Sequence, residues 1–336
     1  MRNAVTIRKA LIVGIHGQDG AYLARLLLDK GYEVRGIARR TSNPNDWRLK
    51  ELRVDVPISY GDILDQSFLQ RVLNDGFDEV YNLAAQSDVA VSFAAPDYTI
   101  QVNTLGTLRL LEAVHNVSLK TKFYQASTSE MFGASPPPQN EVTVMAPQSP
   151  YAAAKLAAYH LVKQYRDAYG MFAVNGILFN HESPLRGTEF VTRKISKAVA
   201  EIAKGKRDSL VLGNLDAARD WGHAEDYVKG MHLMMWNTVP EDFVLATGES
   251  HTVRQFVEEA FRVAGVPIRW ASDDLAVTMK DNRVRVKTSP AYMRPLEVHH
   301  LRGDPLKAEF KLGWQREHSF GALVAEMVNA DLQREG

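Results

Sequence analysis

The chain has 336 residues, 45% hydrophobic and 24% charged, with 40 Lys+Arg balanced by 40 Asp+Glu and no cysteine. At roughly 150 residues per domain this allows about two domains, and the composition excludes a disordered chain, a collagen and a disulfide scaffold. Zero net charge gives no global attraction to nucleic acid or an anionic membrane, and the missing thiols exclude disulfides, thiolate metal sites and a cysteine nucleophile. The stretch Met1 to Lys9 has no signal-peptide pattern, and no apolar run approaches the ~20 residues that cross a bilayer. The expectation is a soluble, cytoplasmic chain that binds no metal.

The first half alternates apolar runs with helical patterns. Ala10 to Ile15 reads as a strand breaking into a glycine turn, and Tyr22 to Asp29 has helical spacing. Glu33 to Ile37, Val56 to Tyr60 and Glu79 to Ala85 read as further strands, and Val102 to Val114 places leucines at helical intervals. Lys122 to Ala126 and Ala173 to Leu178 flank a long helix from Tyr151 to Tyr169. Apolar strands separated by helices predict a parallel sheet covered on both faces, doubly wound by right-handed crossovers.

After about Phe179 loops lengthen and basic residues cluster at Arg186, Arg193, Lys194, Lys197, Arg219, Arg254 and Arg294. Helices are expected over Val253 to Ala264 and Phe320 to Leu332, and a loop-rich polar excursion over Trp270 to Pro290. The expected fold is α/β: a Rossmann-type doubly wound parallel sheet with a smaller, mixed α/β C-terminal substrate domain. Residues 1–180, with about 220–246, are assigned to the dinucleotide domain, and 181–219 with 247–336 to the second.

Gly14-Ile15-His16-Gly17-Gln18-Asp19-Gly20 lies at the first strand-to-helix junction. Missing side chains let the backbone approach a pyrophosphate, and the helix N-terminus offers free N–H groups. A plain tight turn is the competing reading; the position in an alternating chain favours the cofactor. At the end of the second strand, where an NAD site tends to carry an acid, stand Arg39 and Arg40. Two guanidinium groups suit a 2′-phosphate, so NADP is preferred over NAD, with a solvated basic turn as the alternative. Asp62 and Ile63 follow the third strand and are candidates to accept from an adenine amine.

Tyr151 and Lys155 are four apart on one helical face. A phenol with pKa near 10 is a poor base at neutral pH, and a nearby ammonium together with a cationic nicotinamide is expected to lower it. The lysine can also hold the nicotinamide ribose. Thr128 and Glu130 follow the fifth strand, where such a sheet presents its ligand groups. Thr128 can bond a substrate hydroxyl and Glu130 can offer a carboxylate, unless it is a surface or capping glutamate. By its chemistry, a carboxylate beside Thr128 favours an elimination.

With Gly14, Gly17, Gly20, Tyr151 and Lys155 in these places, the chain resembles the extended short-chain dehydrogenase/reductases. The stretches GQDGAYLARLLLDKGYEVRGI, FYQASTSEMFG, SPYAAAKLAAY, NGILFNHESPLRG, EFVTRKI, RDWGHAEDYV and RPLEV are similar to the GDP-mannose 4,6-dehydratases, over roughly residues 9 to 334. The resemblance implies that GDP-mannose is converted to GDP-4-keto-6-deoxymannose with a retained NADP. Tyr151 would take the 4-hydroxyl proton, Thr128 would orient that hydroxyl and Glu130 would act at C5 and C6, with Lys155 on the ribose. It implies cofactor contacts from Gln18, Asp19, Leu83, Ala84, Ala85, Ser87, Tyr98, His181 and Arg186. A packed core histidine remains the alternative for His181. The GDP-sugar would meet Ser87, Asn180, Val191, Lys194, Leu212, Gly213, Arg219, Arg294 and Glu297, although a surface ion pair competes for each arginine. A homodimer or homotetramer is implied, with the Arg39–Ser42 loop near a neighbour's cofactor.

Some positions depart from the family pattern: His16, Asp88, Gln148 and the run Pro136-Pro137-Pro138. Asp88 is expected near the sugar, where another carboxylate could accept from an extra hydroxyl. That keeps a GDP-manno-heptose open as substrate, alongside a GDP-4-keto-6-deoxy-sugar reductase as the other alternative.

Overall fold

The computed structural model describes residues 7–336 apart from Pro44 and Arg294. The first six strands are β1 (Lys9–Val13), β2 (Glu33–Ala38), β3 (Ile58–Tyr60), β4 (Glu79–Asn82), β5 (Lys122–Thr128) and β6 (Ala173–Leu178). Four short ones follow: β7 (Asn180–Glu182), β8 (Leu210–Leu212), β9 (Ala218–Arg219) and β10 (Trp221–His223). Then come β11 (Phe243–Leu245), β12 (His251–Thr252), β13 (Ile268–Ser272), β14 (Leu275–Thr278) and β15 (Val284–Thr288). Helices α1 (Gln18–Asp29), α2 (Trp47–Glu51), α3 (Gln66–Leu73), α4 (Val89–Ala94), α5 (Pro96–Ile100), α6 (Gly106–Val117) and α7 (Pro150–Tyr169) belong to the first half. The second half adds α8 (Val191–Ala203), α9 (Ala224–Trp236), α10 (Val253–Val263), α11 (Leu306–Leu312) and α12 (Phe320–Arg334).

The central sheet is parallel throughout, in the order β11-β6-β5-β4-β1-β2-β3. Alternate residues of β1 serve opposite faces, as the pleat requires. Ile12 joins the core made with Leu23 and Leu27 of α1 and Tyr227 and Met231 of α9. Leu11 and Val13 join the core made with Leu69, Leu110, Leu111 and Val162. Strand order reverses beside β1, and such a switch point opens a crevice at the carboxyl ends of the strands. No described helix is long and apolar enough to cross a membrane.

A third core lies under the second sheet, where Ile195 and Val199 of α8, Phe256 and Phe261 of α10, and Val324 and Met327 of α12 pack together. That sheet runs β13-β14-β15-β8, antiparallel except for the parallel β15–β8 pair. This corrects the expected loop over Trp270 to Pro290. Arg283, Arg285 and Lys287 alternate with Val284 and Val286, and only Val286 of β15 is fully buried. No residue of β13 is buried and three consecutive residues of β14 are, so neither shows the period-two alternation of a half-buried strand.

Candidate active site

At the end of β1 the chain turns at Gly14, whose φ of +92° suits glycine. A Cβ there would lie 2.9 Å from the Ala84 amide nitrogen, and one at Gly20 would lie 2.6 Å from the Gly14 carbonyl oxygen. The turn is thus closed to side chains, and Gly17 starts α1 without a side-chain cap. First-turn N–H groups have no intrahelical partner. They face a cleft of about 800 Å³ lined by the turn, the ends of β5 and β6, and residues of α7 and α8. In the same cleft the buried Asn180 Oδ1 has no hydrogen-bond partner among the described residues. A bare helix N-terminus, a close-packed glycine turn and an unmet amide oxygen fit a dinucleotide and a second polar ligand.

Helix α7 begins where Pro150 occupies its first turn and the Ser149 side chain accepts from the Ala152 amide; Gly170, at φ 66°, ends it. Tyr151 and Lys155 therefore share one buried face. Thr128 ends β5 and caps a 3₁₀ turn over Ser129–Met131, accepting from the Glu130 amide at 3.2 Å. Thr128, Glu130, Tyr151 and Lys155 are all buried and all line the cleft. Four chemical groups predicted from two separate segments meet there.

Their electrostatics differ from the expectation in one respect. Burial pushes the Tyr151 phenol up to about 12; the Thr128 hydroxyl works against this, and the Glu130 charge adds to it. Lys155 does not bring the phenol down, because its Nζ donates to the Ala126 carbonyl at 2.8 Å and stands 6.0 Å from the Tyr151 ring centre. Burial lowers the Lys155 ammonium itself to about 8, with Asp19 opposing.

Of the other predicted residues, the cleft brings together Gly14, Gly17, Gln18, Asp19, Gly20, Leu83, Ala85, Ser87, Asn180, His181, Arg186, Val191, Lys194, Leu212, Gly213, Arg219 and Glu297. Arg219 Nη2 lies 3.5 Å from Glu297 Oε1. Arg39, Arg40, Asp62, Ile63, Ala84 and Tyr98 do not line it. Arg39 and Arg40 are exposed beyond β2, and Arg39 donates to the Tyr98 hydroxyl. Asp62 accepts from the Leu64 amide at 3.0 Å, Ile63 packs toward Gly106, and Ala84 backs Gly14. Arg294 lies outside the described residues.

Among the departures, Asp88 does line the cleft, but its Oδ1 caps α4, accepting from Ala90 and Val91 at 2.7 and 3.2 Å. That oxygen is engaged by the backbone, so the extra-hydroxyl reading gains no support. Two contacts escaped the sequence reading. Lys194 Nζ sits 3.7 Å from the Tyr292 ring centre, and His181 meets Asp19 at 2.8 Å. Both join residues far apart in the chain, and no local pattern signals them.

A glycine turn after β1, a phenol and an amine on α7, and a parallel sheet with a second layer over its carboxyl edge define an extended short-chain dehydrogenase/reductase. Solved structures agree on the fold. The UDP-glucose 4-epimerase of Thermus thermophilus in complex with NAD superposes with a TM-score of 0.79 at 25% identity, over 96% of this chain and 98% of that one. The dTDP-glucose 4,6-dehydratase DesIV of Streptomyces venezuelae, solved with NAD, gives 0.81 at 24%, over 98% and 97%. The family model described as GDP-mannose 4,6 dehydratase matches residues 11–327. GDP-mannose 4,6-dehydratase of Sinorhizobium fredii is 52% identical over 98% of both chains, and that of Homo sapiens 50% over 96% of this chain and 91% of its own. The chain belongs to the GDP-mannose 4,6-dehydratase family.

Proposed function

We propose that the chain converts GDP-mannose to GDP-4-keto-6-deoxymannose by oxidation at C4, loss of water across C5 and C6, and reduction at C6. The observation that carries this reading is the buried Glu130, two residues after Thr128 and lining the same cleft as Tyr151. Reduction alone needs a phenol and an amine; elimination needs a second base. A bound nicotinamide dinucleotide supplies the hydride sink at C4 and the hydride source at C6. Thr128 orients the 4-hydroxyl and Tyr151 takes its proton. With a ketone at C4 the C5 proton is acidic; Glu130 removes it and delivers it to the departing 6-hydroxyl as water forms. The proton taken from the 4-oxygen is returned at C5, so the chain ends in its starting protonation state.

Arg39 and Arg40 support NADP as the dinucleotide, held by the glycine turn and by Lys155 on its ribose. Lys194, Arg219 and Arg186 supply the cationic groups that two phosphates want. We assign the sugar nucleotide to 181–219 and 247–336, and the dinucleotide to the remainder. A cytoplasmic homodimer or homotetramer fits this reading, with exposed Ile100 and Leu105 leaving apolar surface for a second copy.

Glu130→Gln tests the assignment. With GDP-mannose, product formation followed by mass should fall by about 10²–10⁴, while reduction of the bound dinucleotide on adding GDP-mannose, read by absorbance, persists. Parent-like dehydration by this variant would remove Glu130 from the mechanism.

A further inference from the structure

His181 has an acceptor at each ring nitrogen. The Phe179 carbonyl oxygen lies 2.7 Å from Nδ1 and Asp19 Oδ2 lies 2.8 Å from Nε2. A neutral imidazole carries one N–H and could satisfy only one of them; the imidazolium carries two and satisfies both. The ring is buried and stacked on Tyr227, with centres 4.6 Å apart and planes 22° from parallel, a placement that favours a cation over a neutral ring.

We propose that His181 is held as an imidazolium by Asp19 and the Phe179 carbonyl, and that this pair is a positioning device that cancels the carboxylate at the phosphate turn. Asp19 is the second residue of α1, at the positive end that a dinucleotide diphosphate would approach. Alone, its charge would oppose the phosphates. Paired, the local sum is zero, and the free N–H groups of the first turn set the field. Gln18 completes the brace: its Nε2 donates to Asp19 Oδ1 and to the His181 carbonyl, each at 3.1 Å, and its Oε1 accepts from Ser183 at 2.7 Å. The turn is thereby tied to β7, across 163 residues of chain.

The other charged groups around the ring agree with this state. Burial disfavours a charged His181, but the Asp19 carboxylate outweighs it and leaves the pKa raised, with Arg186 opposing. Burial likewise disfavours the Asp19 carboxylate, and His181 draws it down to about 2, aided by Gln18 and Arg186. Glu182 accepts from Thr192 at 2.7 Å and pairs with Arg186 at 3.1 Å, so those two charges offset each other. Tyr227 stays a neutral phenol, pushed well up by burial.

The role of the pair rests on the dinucleotide reading above; the charge state does not, so the test has two arms. In ligand-free protein with ¹⁵N-labelled histidine, one imidazole should remain doubly protonated above the ordinary value near 6.5. Its signals should vanish in His181→Gln and shift toward ordinary titration in Asp19→Asn. By calorimetry, His181→Gln should weaken NADP binding about tenfold or more, and the double variant His181→Gln/Asp19→Asn should recover most of that loss. A His181 that deprotonates at or below 6.5 overturns the charge state. A double variant as weak as the single one overturns the positioning role. Failure of the parent chain to bind NADP would refute the dinucleotide reading and the positioning role while the spectrum still decides the charge state.

Discussion

In ligand-free protein Tyr151 should stay a neutral phenol far above neutral pH. Its phenol is pushed up to about 12, chiefly by burial. At pH 8 that leaves about one molecule in 10⁴ as phenolate, a deficit of about 5 kcal/mol. Among the described residues the cations do not offset this cost: Arg186 lowers the phenol only as a lesser cause, and Lys155 donates to the Ala126 carbonyl. The base therefore exists only once ligands bring positive charge beside the phenol and exclude water. Ultraviolet difference titration of the parent against Tyr151→Phe isolates this one group among the 12 tyrosines. No Tyr151-dependent tyrosinate should appear below about pH 10.5, and adding NADP should move it downward. Glu130→Gln should lower it too, because the Glu130 charge holds it up. A Tyr151-dependent phenolate with its midpoint at or below 10 in ligand-free protein would refute the burial argument.

Gly20→Ala should abolish dinucleotide binding and cost about 1–3 kcal/mol in urea unfolding, since the new Cβ would meet the Gly14 oxygen at 2.6 Å and the Ile15 Cα at 2.7 Å, both backbone atoms. Gly31→Ala is the contrast: at φ +79° with nothing within 4 Å, it should cost about 1 kcal/mol of strain and leave binding unchanged. Replacing Arg39 and Arg40 by glutamate should weaken NADP about ten- to a hundredfold with little effect on NAD, as measured by fluorescence titration. The Asp19–His181 pair also sets a pH window for stability. Asp19 is depressed, so its contribution is present above the ordinary carboxyl value of 3.8 and fades as pH falls toward about 2. His181 is raised, so its contribution is full below 6.5 and is lost as pH rises through the elevated value. The stability gap between parent and Asp19→Asn, followed by urea unfolding, should therefore be widest between about pH 4 and 6.5.

What could be read in advance was what is local. Ala10 to Val13 is apolar on both faces because both faces of β1 are covered, and that signal survives without any knowledge of partners. Ser149, Pro150 and Gly170 delimit α7 by cap chemistry alone, and the four-residue spacing then places Tyr151 and Lys155 on one face. The three strands from Ile268 to Thr288 carry no clean alternation: no residue of β13 is buried, three of the four in β14 are, and β15 buries one beside charged neighbours. β11 has three residues, too short for any period. Asp19 and His181 are 162 positions apart, and either would look ordinary by itself. In the ligand-free chain the Tyr151 shift runs upward for a related reason: spacing puts an amine near a phenol, but whether the amine reaches the phenol or a carbonyl is decided by β5, a different element.

Burial acts in opposite senses on the two groups of α7, and this reverses their usual order. Free in water the phenol ionises near 10 and the ammonium near 10.5; in the cleft they stand at about 12 and about 8. Both shifts disfavour charge, which is what a water-poor cleft does to any ionisable pair that lacks a direct bond between its members. It follows that a titration near pH 8 in ligand-free protein belongs to Lys155 and not to Tyr151, so an alkaline limb in a rate profile cannot by itself be credited to the phenol. Lysine Nζ resonances of ¹⁵N-lysine-labelled protein separate the two. One resonance should titrate near 8 and be missing in Lys155→Met. If every lysine titrated above about 9.5, the ammonium would have to be stabilised by a partner other than the Ala126 carbonyl, and the expected help from Lys155 to Tyr151 would again be available.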